Sequence, residues 1–318
     1  MSSASEGRIR RSSVSLLTPP PQCVTLLTDD GVPVEAVYEP CTRRSGSRGA
    51  APGGTTAEGS APSPADTTAI VVAHGFTGAA DRPAVRRAAR VFARHAAVVT
   101  FSFRGHGRSG GRSTVGDREV LDLAAAVAWA RELGHRRVVT VGFSMGGSVV
   151  LRHGALYDGT LYEAPAHAGA RTGTDAADPG ACAASGAHAD AVVSVSAPAR
   201  WYYRGTAPMR RLHWVVTRPS GRFVGRYGFR TRIATEDWDP VPLPPVAAVP
   251  RIAPAPLLLV HGDRDPYFPL DHPRMLAEAA GPDGAELWVE RGMGHAENAA
   301  DDALLDRIAA WATDGPAE

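Results

Sequence analysis

The sequence predicts an α/β fold built on a mainly parallel sheet with helices on both faces, and three observations carry the prediction. Short β-branched runs at 70–73, 98–103, 138–142, 191–195, 257–260 and 287–289 hold almost no polar residues. Strands buried on both faces read this way. The stretches between them are long enough for helices, with helical periodicity clearest over 117–131 and 302–312. A hairpin signal precedes the alternation, with apolar runs 24–28 and 34–38 flanking Asp29-Asp30-Gly31.

At 318 residues and 44% hydrophobic content, one large core suffices. Residues 1–22 are small, polar and proline-rich and read as a flexible tail, leaving 23–318 as the domain. Two Gly/Ala-rich stretches without periodicity, 41–66 and 157–189, read as insertions into it. Residues 199–250, after the sixth predicted strand, differ in kind. They are dense in aromatic and arginine residues and read as a folded lid.

All 34 basic residues are arginine. The absence of lysine excludes a P-loop, a pyridoxal Schiff base and a Ser-Lys hydrolase. A net charge of +1 gives no whole-molecule field for nucleic acid. Cys23, Cys41 and Cys182 are odd in number and far apart, which argues against a disulfide framework or a zinc site and fits a reducing cytoplasm. The apolar run after the basic stretch Arg8 to Arg11 is too short for a secretory signal, and no run of about 18 apolar residues could span a membrane. Oligomeric state is not written in the sequence.

The strongest chemical signal is Gly142-Phe143-Ser144-Met145-Gly146-Gly147, between a predicted strand and an apolar run. With 34 glycines a GxSxG can arise by chance, but the strand-turn-helix setting gives this one a mechanism. A sharp turn with glycine on both flanks lifts the Ser144 hydroxyl above the end of the sheet, at the head of a helix. A hydroxyl needs a base to become a nucleophile. His295, in Gly292-Met293-Gly294-His295, follows the last predicted strand and is the histidine placed to serve; the others, His74, His106 and His261 included, are read as surface or satisfied core residues. A third group must orient the imidazole. His261-Gly262-Asp263-Arg264-Asp265 offers two carboxylates, Asp263 and Asp265.

These segments resemble the α/β-hydrolase-fold serine hydrolases, an esterase- and lysophospholipase-like superfamily. The run His261 to Pro266 is similar to their HGxxD segment, in which the second acid is the triad member, so the resemblance implies Asp265 with Asp263 as its flank. The order Ser144, Asp265, His295 is that of this fold. His74-Gly75-Phe76-Thr77-Gly78 resembles the HG oxyanion loop, implying that the N–H groups of Phe76 and Met145 hold the oxyanion. Arg104-Gly105-His106-Gly107-Arg108-Ser109 is similar to the RGHGxS segment of the same family. The glycines at 105, 107 and 110 also match a dinucleotide fingerprint, but the next predicted helix begins only near Asp117, too late for that motif.

The activity implied is hydrolysis of a carboxylic ester or thioester by two-step acyl transfer, with no metal or organic cofactor. Related readings on the same triad are a lysophospholipase or monoacylglycerol-lipase-like enzyme, a serine peptidase and an acyltransferase. A reading of another class is a non-catalytic ligand-binding protein that keeps the fold. From Arg200 to Thr235 the lid holds nine arginines and no Asp or Glu, interleaved with seven aromatics. Trp201, Trp214, Arg210 and Arg211 are the candidate substrate contacts there. Either the aromatics pack on the core and the arginines are solvated, or together they attract an anionic acyl compound or an anionic lipid surface.

Overall fold

The computed structural model describes residues 20–42, 67–157 and 186–315. Eight strands form one sheet in the order β1-β2-β4-β3-β5-β6-β7-β8. These are β1 (Gln22–Leu27), β2 (Pro33–Glu39), β3 (Thr68–Ala73), β4 (Ala97–Phe101), β5 (Arg137–Phe143), β6 (Ala191–Val195), β7 (Leu257–Gly262) and β8 (Glu286–Glu290). The β1–β2 hairpin is antiparallel, and β2 runs antiparallel to β4; every pair from β4 to β8 is parallel. Gly31, at φ 76°, makes the hairpin turn.

Apart from Arg137 at the start of β5, strands β3 to β7 are buried along their whole length, which is why they read as apolar runs rather than alternating ones. Their side chains alternate between two cores. Ala69, Val71 and Ala73 face a layer made by α2 (Glu119–Glu132), α3 (Met145–Leu156) and α7 (Asp271–Ala280). Ile70 and Val72 face α1 (Pro83–Phe92) and α9 (Asp302–Asp314).

Between β6 and β7 lie α4 (Ala207–Thr217), α5 (Pro219–Gly228) and the short α6 (Pro245–Ala248); α8 (Ala296–Ala299) follows His295. Thr206 caps α4 by accepting the Met209 N–H, and Pro219 opens α5 after a single extended residue. Gly221 and Gly225 are the buried residues of α5. A Cβ at Gly221 would strike the backbone of Trp214 and Val215, so the two helices pack closer than larger residues allow.

Several sequence expectations need adjustment. The tail ends before Gln22, which already pairs with Tyr38. The strand expected over 98–103 stops at Phe101, because the Phe103 N–H turns to the His74 ring instead of the ladder. The helix expected from 117 starts at Glu119, whose carboxylate is occupied with the N–H groups of Thr114, Val115 and Gly116. The insertions read over 41–66 and 157–189 fall mostly outside the described residues. At their edges Thr42 bonds the Ala93 carbonyl, and Tyr157 packs with Ala124 and Ala187. Among the described residues Cys23 and Cys41 are free, no helix is long and apolar enough to cross a membrane, and no group of three His, Cys, Asp or Glu side chains could hold a metal.

Candidate active site

The sheet order reverses around β3: the chain steps from β3 to β4 on one side, then crosses to β5 on the other. A crevice opens beyond the carboxyl ends of the strands at such a point. Because β3 and β5 pair in register from Thr68–Arg137 to Ala73–Gly142, the loops that follow them leave the sheet side by side. A Cβ at Gly146 would overlap the carbonyls of Ala73 and His74, and one at Gly142 would overlap the Gly146 carbonyl. The two glycines of the Gly142-to-Gly146 motif are therefore set by close backbone approach, not by flexibility.

Between them Ser144 has φ 53° and ψ −112°, a conformation that costs a non-glycine residue energy and is held by its surroundings. Its N–H bonds the Val195 carbonyl at 2.8 Å. Met145, as first residue of α3, has an N–H without an intrahelical acceptor. The Phe76 N–H has no acceptor among the described residues either, and lies in the turn closed by Gly78 N–H to Gly75 carbonyl. Phe76 and Met145 line the same cavity as Ser144.

His295 Nε2 lies 2.8 Å from Ser144 Oγ, and His295 Nδ1 lies 2.7 Å from Asp265 Oδ2. A carboxylate can only accept, so Nδ1 carries the proton and Nε2 is free to accept from the hydroxyl. The Asp265 side chain is fully buried. Burial pushes its pKa up, but the His295 hydrogen bond and charge, with the N–H groups of Phe268 and Tyr267, outweigh that and hold it below the usual carboxylate range. Tyr267 stacks on the imidazole at 4.3 Å between centroids. Asp263 is turned elsewhere, accepting the exposed Gly292 N–H at 2.6 Å.

The hydroxyl opens into a cavity of about 440 Å³ whose walls come from several separate segments. Met209, Leu212 and Val216 of α4 form one side, the loop 113–115 another, and Trp201, Ile233 and Trp238 the far end. The Trp201 and Trp238 indoles donate to the carbonyls of Pro242 and Thr114, so their rings stay fixed.

The model of the Alpha/beta hydrolase family matches residues 70–307, three-quarters of the chain. The chain belongs to the alpha/beta hydrolase family. Its fold is similar to that of an esterase from Pyrococcus furiosus, with 19% identity, TM-score 0.59, and coverage of 93% of this chain and 91% of that one. It is also similar to the esterase domain of a Rhodothermus marinus protein, at 16% identity, TM-score 0.55, and coverage of 93% and 99%. An alpha-beta serine hydrolase homologue from Coxiella burnetii is similar at 16% identity, TM-score 0.51, and coverage of 93% and 97%.

In this family member, Ser144, His295, Asp265, Phe76 and Met145 converge at one edge of the sheet. Of the four candidate substrate contacts, only Trp201 lines the cavity. Trp214 is 45% exposed, Arg210 is exposed and donates to the carbonyls of Arg204 and Gly205, and Arg211 is exposed; none of the three lines it. The acid-free stretch that suggested an anionic substrate ends at Thr235, directly before Glu236 and Asp237, and both line the cavity together with Arg200 and Arg204. The lining therefore holds two carboxylates beside its two arginines, and Arg200 also pairs with Asp271 at 3.2 Å.

His74, His106 and His261 are buried structural residues. His74 takes the Phe103 N–H on Nε2 and donates from Nδ1 to the Gly75 carbonyl, and burial pushes its pKa down to about 3. Arg104 is clamped between Asp30 and Asp122, while Gly105 and Gly107 have positive φ and open no helix, so the dinucleotide match is a structural loop. Two buried acids escaped sequence reading. Glu119 gathers Ser113, Thr114, Val115 and Gly116 into one cavity wall. Glu297 accepts the Gly75 N–H at 3.3 Å, and burial raises its pKa, so it braces the turn that carries Phe76. Its position two residues after His295 was the available signal.

Proposed function

We propose that the protein is a serine hydrolase that cleaves a carboxylic ester or thioester through a covalent acyl-serine intermediate. The observation that carries this reading is the unbroken line from Ser144 Oγ through His295 to buried Asp265, at 2.8 and 2.7 Å, beside an apolar cavity. Ser144 attacks the acyl carbon while His295 Nε2 takes the hydroxyl proton, and Asp265 stabilises the imidazolium that forms. The N–H groups of Phe76 and Met145 receive the charge on the carbonyl oxygen. Collapse of the adduct expels the alcohol or thiol, protonated by His295. Water, deprotonated by the same imidazole, then releases the acid and restores the serine.

The cavity between α4 and the loop 113–115 takes the acyl group, and its balanced charge favours a neutral small-molecule acyl ester over an anionic one. Neither a metal nor an organic cofactor enters these steps. The free thiols of Cys23 and Cys41 suit a reducing cytoplasm. A fluorophosphonate probe and a p-nitrophenyl ester series from acetate to palmitate test the proposal. Ser144 should label stoichiometrically and the label should abolish turnover; labelling elsewhere, or full turnover by the labelled protein, would refute it. Added alcohols separate hydrolysis from acyl transfer by the ester products formed.

A further inference from the structure

On the segment 199–250 between β6 and β7, called the cap, a second depression of about 470 Å³, which shares no lining residue with the cavity of Ser144, lies between α5 and the start of α1. Its lining includes Arg82, Arg108, Arg226, Arg230 and Arg232, against Asp81 as the acid. Among the described residues Arg108 is the one of these five in an ion pair, with Glu35. Arg82 donates to the Phe229 carbonyl, Arg232 to the Ser109 carbonyl, and the Arg226 guanidinium sits 5.5 Å over the Tyr227 ring. Arginine carries its charge at any accessible pH, so the depression is a fixed positive field on a chain whose net charge is only +1.

Apolar tips rise beside these charges. Phe223 and Tyr227, one turn apart on α5 with ring centroids 4.6 Å apart, are each 64% exposed, and Phe229 and Val224 are exposed as well. With Gly221 and Gly225 turned inward onto α4 and Ile233, the outer face of α5 is committed to aromatic and arginine side chains. Large exposed aromatics cost solubility unless something covers them, and their arginine neighbours specify the sign of the cover.

We propose that this face docks on an anionic phospholipid surface, with the headgroup phosphates in the arginine depression and Phe223, Tyr227 and Phe229 in the acyl boundary. Guanidinium and phosphate match geometrically, and a basic helix with aromatic tips lies in a bilayer interface in this way. An acidic protein or a duplex would satisfy the arginines but leave the clustered apolar tips without a matching phase, and a single strand, whose bases can stack on the rings, is the rival that an oligonucleotide tests. The opposite side of the same helical pair walls the cavity through Met209, Leu212 and Val216, so docking sets the cap against the source of an apolar substrate.

Co-sedimentation of the full chain with phosphatidylcholine vesicles, with and without one-third phosphatidylglycerol, tests the proposal. The vesicle comparison itself reads binding and no turnover, so its result is independent of the role assigned to Ser144. Binding at least roughly tenfold tighter to the phosphatidylglycerol vesicles is expected, weakening as salt screens the headgroups. The paired variants Arg226→Glu/Arg230→Glu and Phe223→Ser/Tyr227→Ser should each lose most of that binding and keep hydrolysis of a soluble short-chain ester within about twofold. Equal affinity for the two vesicle types overturns the proposal, and this comparison needs no variant to fold. Binding to polyglutamate or a single-stranded oligonucleotide as tight as to the vesicles, or folded variants that bind like the parent, overturns it too.

Discussion

The carboxyl edge of the sheet and the cap above it face the same cavity, yet they are specified in different ways. At the sheet edge each important position is fixed by backbone: Gly142 and Gly146 have no room for a Cβ, Gly262 would strike the Met293 carbonyl if substituted, and Ser144 is held at φ 53°. In the cap, the cavity is shaped by side chains such as Leu212 and Val216, while Phe223 and Tyr227 stand in solvent. Backbone constraints leave a local, spaced signature. Side-chain packing leaves only composition.

The comparison predicts that loss of a sheet-edge group destroys chemistry, whereas a change in the cap redirects it. Ser144→Ala should lower kcat by about 10⁶-fold with the melting temperature unchanged, because only the hydroxyl is lost. Turnover within tenfold of the parent in a variant that no longer labels with the phosphonate would break the comparison at its base. Asp265→Asn should cost about 10⁴-fold, through a wrong imidazole tautomer, and Asp263→Asn less than about tenfold, since Asp263 only holds the Gly292 N–H. A larger fall for Asp263→Asn would transfer the role to that residue.

A smaller and more selective effect is expected in the cap. Leu212→Trp fills the cavity beyond the hydroxyl, so kcat/KM for a long-chain ester should fall roughly 10- to 100-fold, while that for acetate stays within about threefold. An equal fall for both chain lengths would mean that the acyl group lies elsewhere.

The smallest expected effect concerns stability within the sheet edge itself. Glu297 is buried with its pKa raised, so the folded state disfavours its ionised form. A carboxyl shifted upward on folding lowers stability above its unfolded pKa, and that cost disappears as pH falls below it. Glutamine carries no such charge and still accepts the Gly75 N–H. The melting temperature of Glu297→Gln relative to the parent should therefore rise from pH 4 to pH 8. A difference that stays constant, or reverses, would show that the carboxyl is not buried at a cost.

The sequence by itself determined the parallel core, the turn at Ser144 and the loops bearing Asp265 and His295. Strands buried on both faces must be apolar throughout, and a backbone packed against backbone must be glycine, so both requirements are written at short range. It set residues 199–250 apart by composition but not their division of labour. Trp201 faces the cavity while Trp214, Arg210 and Arg211 do not, because the pitch of α4 and its packing on α5 decide which side chains turn inward. Glu236 and Asp237 join Arg200 and Arg204 in the cavity lining only through the tertiary fold. Glu297 reaches Gly75 across 222 positions of sequence. The arginine depression likewise joins Arg82 and Arg108 from the sheet's loops to Arg226 and Arg230 of the cap. Contacts between residues so far apart follow from where the sheet and its helices place them, and no local periodicity or spacing encodes that.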